Sequence, residues 1–324
     1  MKKNILSFIS FFLCALLFMS CGQKLLKDQY GCFLDYDQTI SYASKKNKPI
    51  LIFFTSQGDD EKSTQLVNNV LNGESFKKSF ASKYAVLHAD FSQNTFEKTL
   101  APENANDQEV EEANTYTNIL QNNYKLAILF NVSQMPAVFL CSPQGYVIDR
   151  LDAEKTINSI EDLQTLLDSK KEEIKNFNSM VSQTKKGSVS NKVEAIDTIY
   201  NATQSEYRAF LLPLVNYAVE IDTDNTSGLA GKFILSKAEI EAIFAYSSGD
   251  VESAVQKYLV AADNKFVKTE DKQDCFYKAA YLLAYSDSSD YETIVYYLEM
   301  AYKIAPESSK AESIQKAIEY FKDK

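Results

Sequence analysis

Tryptophan is absent from the 324 residues, histidine occurs once, and glycine occurs nine times. Each scarcity closes off a class of chemistry. A single histidine, His88, cannot build a His-rich metal centre or an HExxH helix, which need imidazoles in pairs at fixed spacing. No two glycines stand as GxG, and no Walker loop is present, so neither phosphate-cradling turn can form. Arg150 and Arg208 are the only guanidinium groups, which leaves bidentate phosphate recognition poorly supplied. Acidic side chains outnumber basic ones, 44 to 34, for a net charge of −10, whereas a nucleic-acid binder needs a basic stripe. No cysteine pair has CxxC spacing. Nucleic acid is therefore excluded as a partner, and neither a metal nor a cofactor is expected. What is present is ordinary core material, 45% hydrophobic and 24% charged, which supports folded domains rather than disorder. At roughly 100–200 residues per domain, the length admits two domains, or one domain and an array.

The N-terminus reads as an address. Lys2 and Lys3 precede an apolar run from Ile5 to Met19, too short for a membrane span and suited to a signal h-region. The run ends Leu17-Phe18-Met19-Ser20-Cys21-Gly22, which resembles a bacterial lipobox. That resemblance implies a lipoprotein signal peptide over 1–20, lipidation at Cys21, a tether over 21–29, and a protein held at a membrane of the cell envelope, periplasmic or surface-facing. Cysteines stand at 14, 21, 32, 141 and 275. With Cys14 removed and Cys21 lipidated, three remain, and an odd number leaves at least one thiol without an internal partner. Cys32 is expected to be exposed, and Cys141 to be a small buried residue of a core strand.

Along the mature chain, residues 36–47 read as a helix stopped by Pro49. Ile50-Leu51-Ile52-Phe53-Phe54 is a continuous apolar run of the kind that forms a strand buried on both faces. A helix is expected over 60–72, a strand over 84–91, a polar loop over 92–108 and a helix over 109–124. Strands 137–141 and 146–148 flank the turn Ser142-Pro143-Gln144-Gly145, and a helix over 157–182 follows.

This order, carried by Lys48-Pro49-Ile50-Leu51-Ile52-Phe53-Phe54-Thr55, Asp90, Met135-Pro136 and Pro143-Gln144-Gly145, resembles the thioredoxin-like superfamily. The resemblance implies a thioredoxin-like domain over 30–182, with a cis bond before Pro136 facing the active-site loop. It fails at the active site itself. The family's Trp-Cys-x-x-Cys segment falls on Asp59, then Asp60-Glu61-Lys62-Ser63, and carboxylate and hydroxyl cannot perform thiol exchange. The degenerate site is therefore Asp59, Asp60, Ser63 and Pro136. Asp59, Asp60 and Glu61 could hold a cation, but acids at a helix start serve as caps. His88, in a strand without a Cys or His partner, reads as structural. Asp222-Thr223-Asp224-Asn225-Thr226-Ser227-Gly228 fails the calcium-loop pattern, because its sixth position lacks glycine and its twelfth is Phe233.

Residues 183–191 form a polar boundary, and 191–324 read as helical throughout. Gly249-Asp250-Val251-Glu252-Ser253-Ala254 and Ser289-Asp290-Tyr291-Glu292-Thr293-Ile294 open two similar helices that resemble the second helix of a tetratricopeptide (TPR) repeat. The expected architecture is thus an α/β thioredoxin-like domain followed by an all-α TPR-like helical-repeat domain. Solenoid grooves take up peptide or protein segments. Tyr277, Tyr281, Tyr285 and Tyr297 are candidate partner-binding residues, since tyrosine combines contact area with a polar tip. The functional expectation is a redox-inactive envelope lipoprotein that binds a protein or peptide partner. The alternative is a monothiol or atypical thiol-disulfide oxidoreductase or chaperone.

Overall fold

The computed structural model describes residues 25–80, 82–286 and 289–324. The expected signal peptide, Cys21 and the first part of the tether lie outside them.

Helix α1 (Tyr36–Lys46) starts where the Asp35 carboxylate accepts the Gln38 amide, and it ends on Asn47 at a φ of 50°, with Pro49 beyond. Strand β1 (Ile50–Thr55) follows and is buried at every position. Helix α2 (Glu61–Leu66) runs into one wide turn over Val67–Leu71. A short helix α3 (Glu74–Ser79) leads to strand β2 (Ala85–Asp90). Helices α4 (Gln93–Glu97) and α5 (Asp107–Leu129) precede strands β3 (Ala137–Cys141) and β4 (Val147–Leu151). The four strands form one sheet in the order β2-β1-β3-β4. β1 and β2 pair in parallel from Ile50↔Ala85 to Thr55↔Asp90, which is why both read as uninterrupted apolar runs. β3 and β4 are joined by a tight connection in which the Ser142 amide donates to the Tyr146 carbonyl at 2.8 Å. So short a link between neighbours requires an antiparallel pair, making the sheet mixed. The Met135-Pro136 bond is cis, as the resemblance implied.

Three expectations are corrected. The polar stretch 92–108 is not all loop, because Ser92 caps the short helix α4 through the Thr95 amide. The helix expected over 157–182 is three pieces, α6 (Ala153–Thr156), α7 (Ile160–Ser169) and α8 (Lys171–Gln183). Ser159 starts a new helix by accepting the Asp162 amide at 3.1 Å, an interruption that apolar periodicity does not register. The segment expected as a tether is also not free along its whole length. Lys27 bridges Phe33, and Phe33 bridges Leu87 in parallel, its amide donating to the Val86 carbonyl at 2.7 Å. Residues 27–33 thus dock against β2.

The chain divides into two compact units. One holds the described residues through Tyr124 together with Gln134–Val138 and Asp152–Leu163. Its core includes Phe76, edge-on to Phe53 at 6.0 Å and stacked on Phe80 at 5.3 Å.

The other holds Lys125–Ser133, Phe139–Leu151 and Gln164–Lys324. From Lys171 onward it is helical: α8, α9 (Val189–Ala202), a 3-10 turn over Ser205–Leu211, α10 (Leu212–Ile221), α11 (Ala230–Ser247), α12 (Val251–Asp263), α13 (Thr269–Tyr285), α14 (Tyr291–Ile304) and α15 (Ala311–Lys322). From α11 on, each helix packs against the next in sequence. Small buried residues, among them Ala238, Ala242, Ala254, Ala261 and Ala279, form much of the contact. Gly231 shows how close the backbones come: a Cβ there would lie 2.2 Å from the Phe266 carbonyl oxygen, so only hydrogen fits. Asp250 and Asp290 each cap a helix by accepting the amide three residues on. Ala254, Tyr258 and Ala261 of α12 are buried, and so are Ile294, Leu298 and Ala301 at the matching positions of α14. The two helices are built to one pattern.

Candidate functional site

The segment that would carry redox chemistry lies between β1 and α2, and in this chain it carries a helix cap. The Asp60 carboxylate accepts the Ser63 amide at 2.6 Å. Thr64 Oγ1 donates to the Asp60 carbonyl at 2.8 Å and accepts the Gly58 amide at 2.8 Å. Asp59 is exposed and accepts Ser56 Oγ at 3.2 Å. Ser63 is buried, and its hydroxyl has no hydrogen-bond partner. Pro136 is buried at the entry to β3. Asp60 is thus occupied in holding α2, and among the described residues no cluster of three or more His, Cys, Asp or Glu side chains is arranged to hold a metal ion.

Every described cysteine is unbridged and buried, Cys32 at 1%, Cys141 at 0% and Cys275 at 2% exposure. Burial pushes all three thiols up. It acts on Cys32 together with the nearby Asp28 carboxylate, lifts Cys141 far above the ordinary thiol range, and raises Cys275 to about 11. None is the low-pKa, accessible thiolate that exchange chemistry uses. The expectation that Cys32 is exposed is corrected. The Phe33–Leu87 bridge draws its segment onto the sheet, and the Asp28 carboxylate takes the Cys32 amide at 2.8 Å.

His88 sits in β2 at 3% exposure and is held from both ring nitrogens. Nδ1 lies 2.8 Å from Asp28 Oδ2, and Nε2 lies 2.8 Å from Thr55 Oγ1. A carboxylate can only accept, so Nδ1 carries a proton, and Nε2 shares its hydrogen bond with the Thr55 hydroxyl, a group that can donate or accept. Asp28 also accepts the amides of Tyr30 at 2.9 Å and Cys32 at 2.8 Å. This Asp28–His88–Thr55 chain resembles a catalytic relay in order, but Thr55 is fully buried and attacks nothing. Its partner Asp28 falls in the segment expected as a tether. Beside the chain lies a cavity of about 260 Å³, bounded by Lys27, Asp28, His88, Asp90, Tyr116 and Asn123 among others. No motif pointed to it.

The candidate tyrosines divide between surface and core. Tyr281 and Tyr285 are 48% and 63% exposed, and their rings approach to 4.2 Å. Tyr277 stands 6.3 Å behind Tyr281 and is half-buried, packing against the Ile294 and Leu298 core. Tyr297 is also half-buried and packs into the helix interfaces. Tyr246 of α11 and Tyr296 of α14 are exposed as well. The 222–228 segment is a helix-to-helix turn. The Asp222 carboxylate takes both the amide and the hydroxyl of Thr226 and of Ser227, which leaves no vacancy for a cation.

A protein-family model described as "Uncharacterised protein C-terminal domain" matches residues 229–324, the span of the α11–α15 stack. An "Uncharacterized protein" of Treponema pallidum (strain Nichols) is 24% identical over 192 residues, 58% of this chain. The chain spans 63% of that relative's length. Among solved structures, a DsbH oxidoreductase is similar at 16% identity and a TM-score of 0.32, over 48% of this chain and 87% of its own.

Proposed function

We propose that the protein is a thiol-inactive, thioredoxin-like binding protein of the cell envelope, anchored by lipid at Cys21. In this reading its TPR-like helical stack takes up a protein or peptide segment. The strand order β2-β1-β3-β4, with helices between β1, β2 and β3, supports the thioredoxin-like part. The paired construction of α12 and α14 supports the repeat part. The observation that carries the reading is the exposed tyrosine ladder of α13. Two large amphipathic rings face solvent one helical turn apart, on an element whose opposite side is fully used in packing. Aromatic side chains of this kind make the central contacts of binding surfaces. The buried, high-pKa thiols argue against oxidoreductase chemistry.

Two measurements test this. In-cell crosslinking and capture with the full-length chain is compared with Tyr281→Ala/Tyr285→Ala. A specific partner lost in the variant, by about tenfold or more in affinity, is the expected result. Equal capture by both chains would remove the tyrosine face from the argument. Insulin reduction by the wild-type chain should stay at background, and activity abolished by Cys32→Ser or Cys141→Ser would overturn the thiol-inactive reading.

A further inference from the structure

We propose that a groove along α11 binds a carboxylate amphiphile, a straight alkyl chain with one acidic head. The groove lies wholly within the second unit, between α10, α11 and α12 and the turns that follow α10 and α12. Its volume, about 520 Å³, is that of a small-molecule site. Ala230, Ile234, Lys237, Ala238 and Glu241 form its α11 wall. They are spaced by three or four residues, or stand side by side, so one helix face presents them all. That face is about 16 Å long from Ala230 to Glu241, at about 1.5 Å per residue. Ala230, Ala238 and Ala261 are buried and form the floor, where side chains of methyl size leave depth unfilled. Val260, at 69% exposure, stands on the rim, and Phe266 closes the Ala230 end.

The opposite end is charged, and the charges do not cancel. Glu241 accepts Lys257 at 2.9 Å, whereas Lys237 comes only to 3.8 Å, beyond hydrogen-bond reach. Asp250 also lies near Lys257 but does not line the groove. Two ammonium groups thus share one carboxylate inside the groove, and Lys237 is left with one long ion pair. Asp222, the other acid of the wall, is 2% exposed and is held by the amides and hydroxyls of Thr226 and Ser227 in the turn leading into α11. From the start of α11 at Ala230 to Lys237 is about 10 Å along the axis, which is about a Debye length. An anionic head is therefore favoured beside Lys237 and a hydrocarbon tail toward Phe266. The apolar stretch also selects against a peptide. A backbone laid on Ile234, Ala238, Val260 and Ala261 would bury N–H and C=O groups against hydrocarbon, whereas an alkyl chain has no polar group to satisfy.

Calorimetric titration of the full chain with dodecanoate, decanoate and dodecyltrimethylammonium, each below its micelle concentration, tests the site. Saturable binding of one dodecanoate per chain is expected. Each methylene removed should weaken binding about fourfold, so decanoate should bind about tenfold or more weakly. Dodecyltrimethylammonium has the same tail and the opposite charge, and should also bind about tenfold or more weakly. Lys237→Glu should weaken dodecanoate about tenfold or more and narrow its advantage over the cationic amphiphile. Val260→Asp sets a charge against the tail and should weaken both amphiphiles. Val260 is on the surface and the Lys237 side chain is 36% exposed, so both variants should melt close to wild type. The chain-length and head-group comparisons on wild type stand without either variant. No saturable binding, equal binding of decanoate and dodecanoate, equal binding of the two head groups, or binding indifferent to both substitutions would each overturn the proposal.

Discussion

Replacing Asp28 by alanine removes one acceptor from three donors at once. The carboxylate takes the Tyr30 and Cys32 amides at 2.9 and 2.8 Å and His88 Nδ1 at 2.8 Å. Hydrogen bonds to an ionised group contribute about 1.5–3 kcal/mol each, and removing one partner of a buried pair costs about 3–5 kcal/mol. The three bonds share one side chain and do not add, so the expected cost of Asp28→Ala is about 3–5 kcal/mol. That is a large part of a typical domain's stability of about 5–15 kcal/mol. Asp28→Asn keeps an oxygen for the two amides but turns an N–H₂ toward the protonated Nδ1, and should cost about half as much. The assay is the urea dependence of hydrogen-exchange protection over Ile50–Thr55 and Ala85–Asp90, the paired strands that contain Thr55 and His88. In a His88→Ala background the effect of Asp28→Ala should shrink by about 1–3 kcal/mol, the coupling expected of groups in direct contact. Because the chain has one histidine, its ring nitrogens give an unambiguous NMR signature. A proton on Nδ1 is expected. A loss below about 0.5 kcal/mol on Asp28→Ala, within the ordinary range for an uncoupled surface change, or a ring without a proton on Nδ1, would refute the reasoning.

The helical unit gives three further outcomes. Gln273 is buried at 1% exposure, and its amide nitrogen donates to the Ala301 and Ala305 carbonyls at 3.0 and 2.9 Å. Gln273→Leu takes this donor from both oxygens, the Ala305 carbonyl keeping only the Ser308 amide at 3.2 Å, and calorimetric unfolding should show a loss of about 1–3 kcal/mol. Gly231→Ala sets a methyl 2.2 Å from the Phe266 carbonyl, and should cost at least about 1–3 kcal/mol, the range for overpacking, with the nearby α11 and α12 amides losing exchange protection. Asp222 carries a pH dependence. Burial alone would raise its pKa, but the bonds from Ser227 and Thr226 outweigh burial and hold it below the ordinary value of 3.8. A depressed folded-state pKa contributes stability that is present above 3.8 and lost as pH falls through the folded-state value. The melting temperature of wild type should therefore drop on acidification through that window, whereas Asp222→Asn should start lower at neutral pH and show a shallower acid limb.

What could be read from the residues depended on how far apart the interacting groups lie. β1 was legible because a strand buried on both faces must be apolar throughout, and Ile50 to Phe54 states this locally. Asp250 and Asp290 were legible for the same reason, since a cap and the amide it satisfies are three residues apart. The tyrosines of α13 were only half legible. Helical spacing puts Tyr277, Tyr281 and Tyr285 on one stripe, but which of them faces water is decided by α14 and α15, and the burial of Tyr277 against Ile294 and Leu298 has no local signal. Cys32 was misread because its burial is imposed by Phe33 pairing with Leu87 across more than fifty residues. Asp28 lies beyond any motif. The acid meets His88 over a separation of 60 residues. Composition constrains by subtraction: one histidine and no CxxC exclude chemistries whatever the fold. Positive assignments require partners, and in this chain the groups that line the polar cavity come in part from a segment expected as a tether, a strand expected over 84–91 and a helix expected over 109–124.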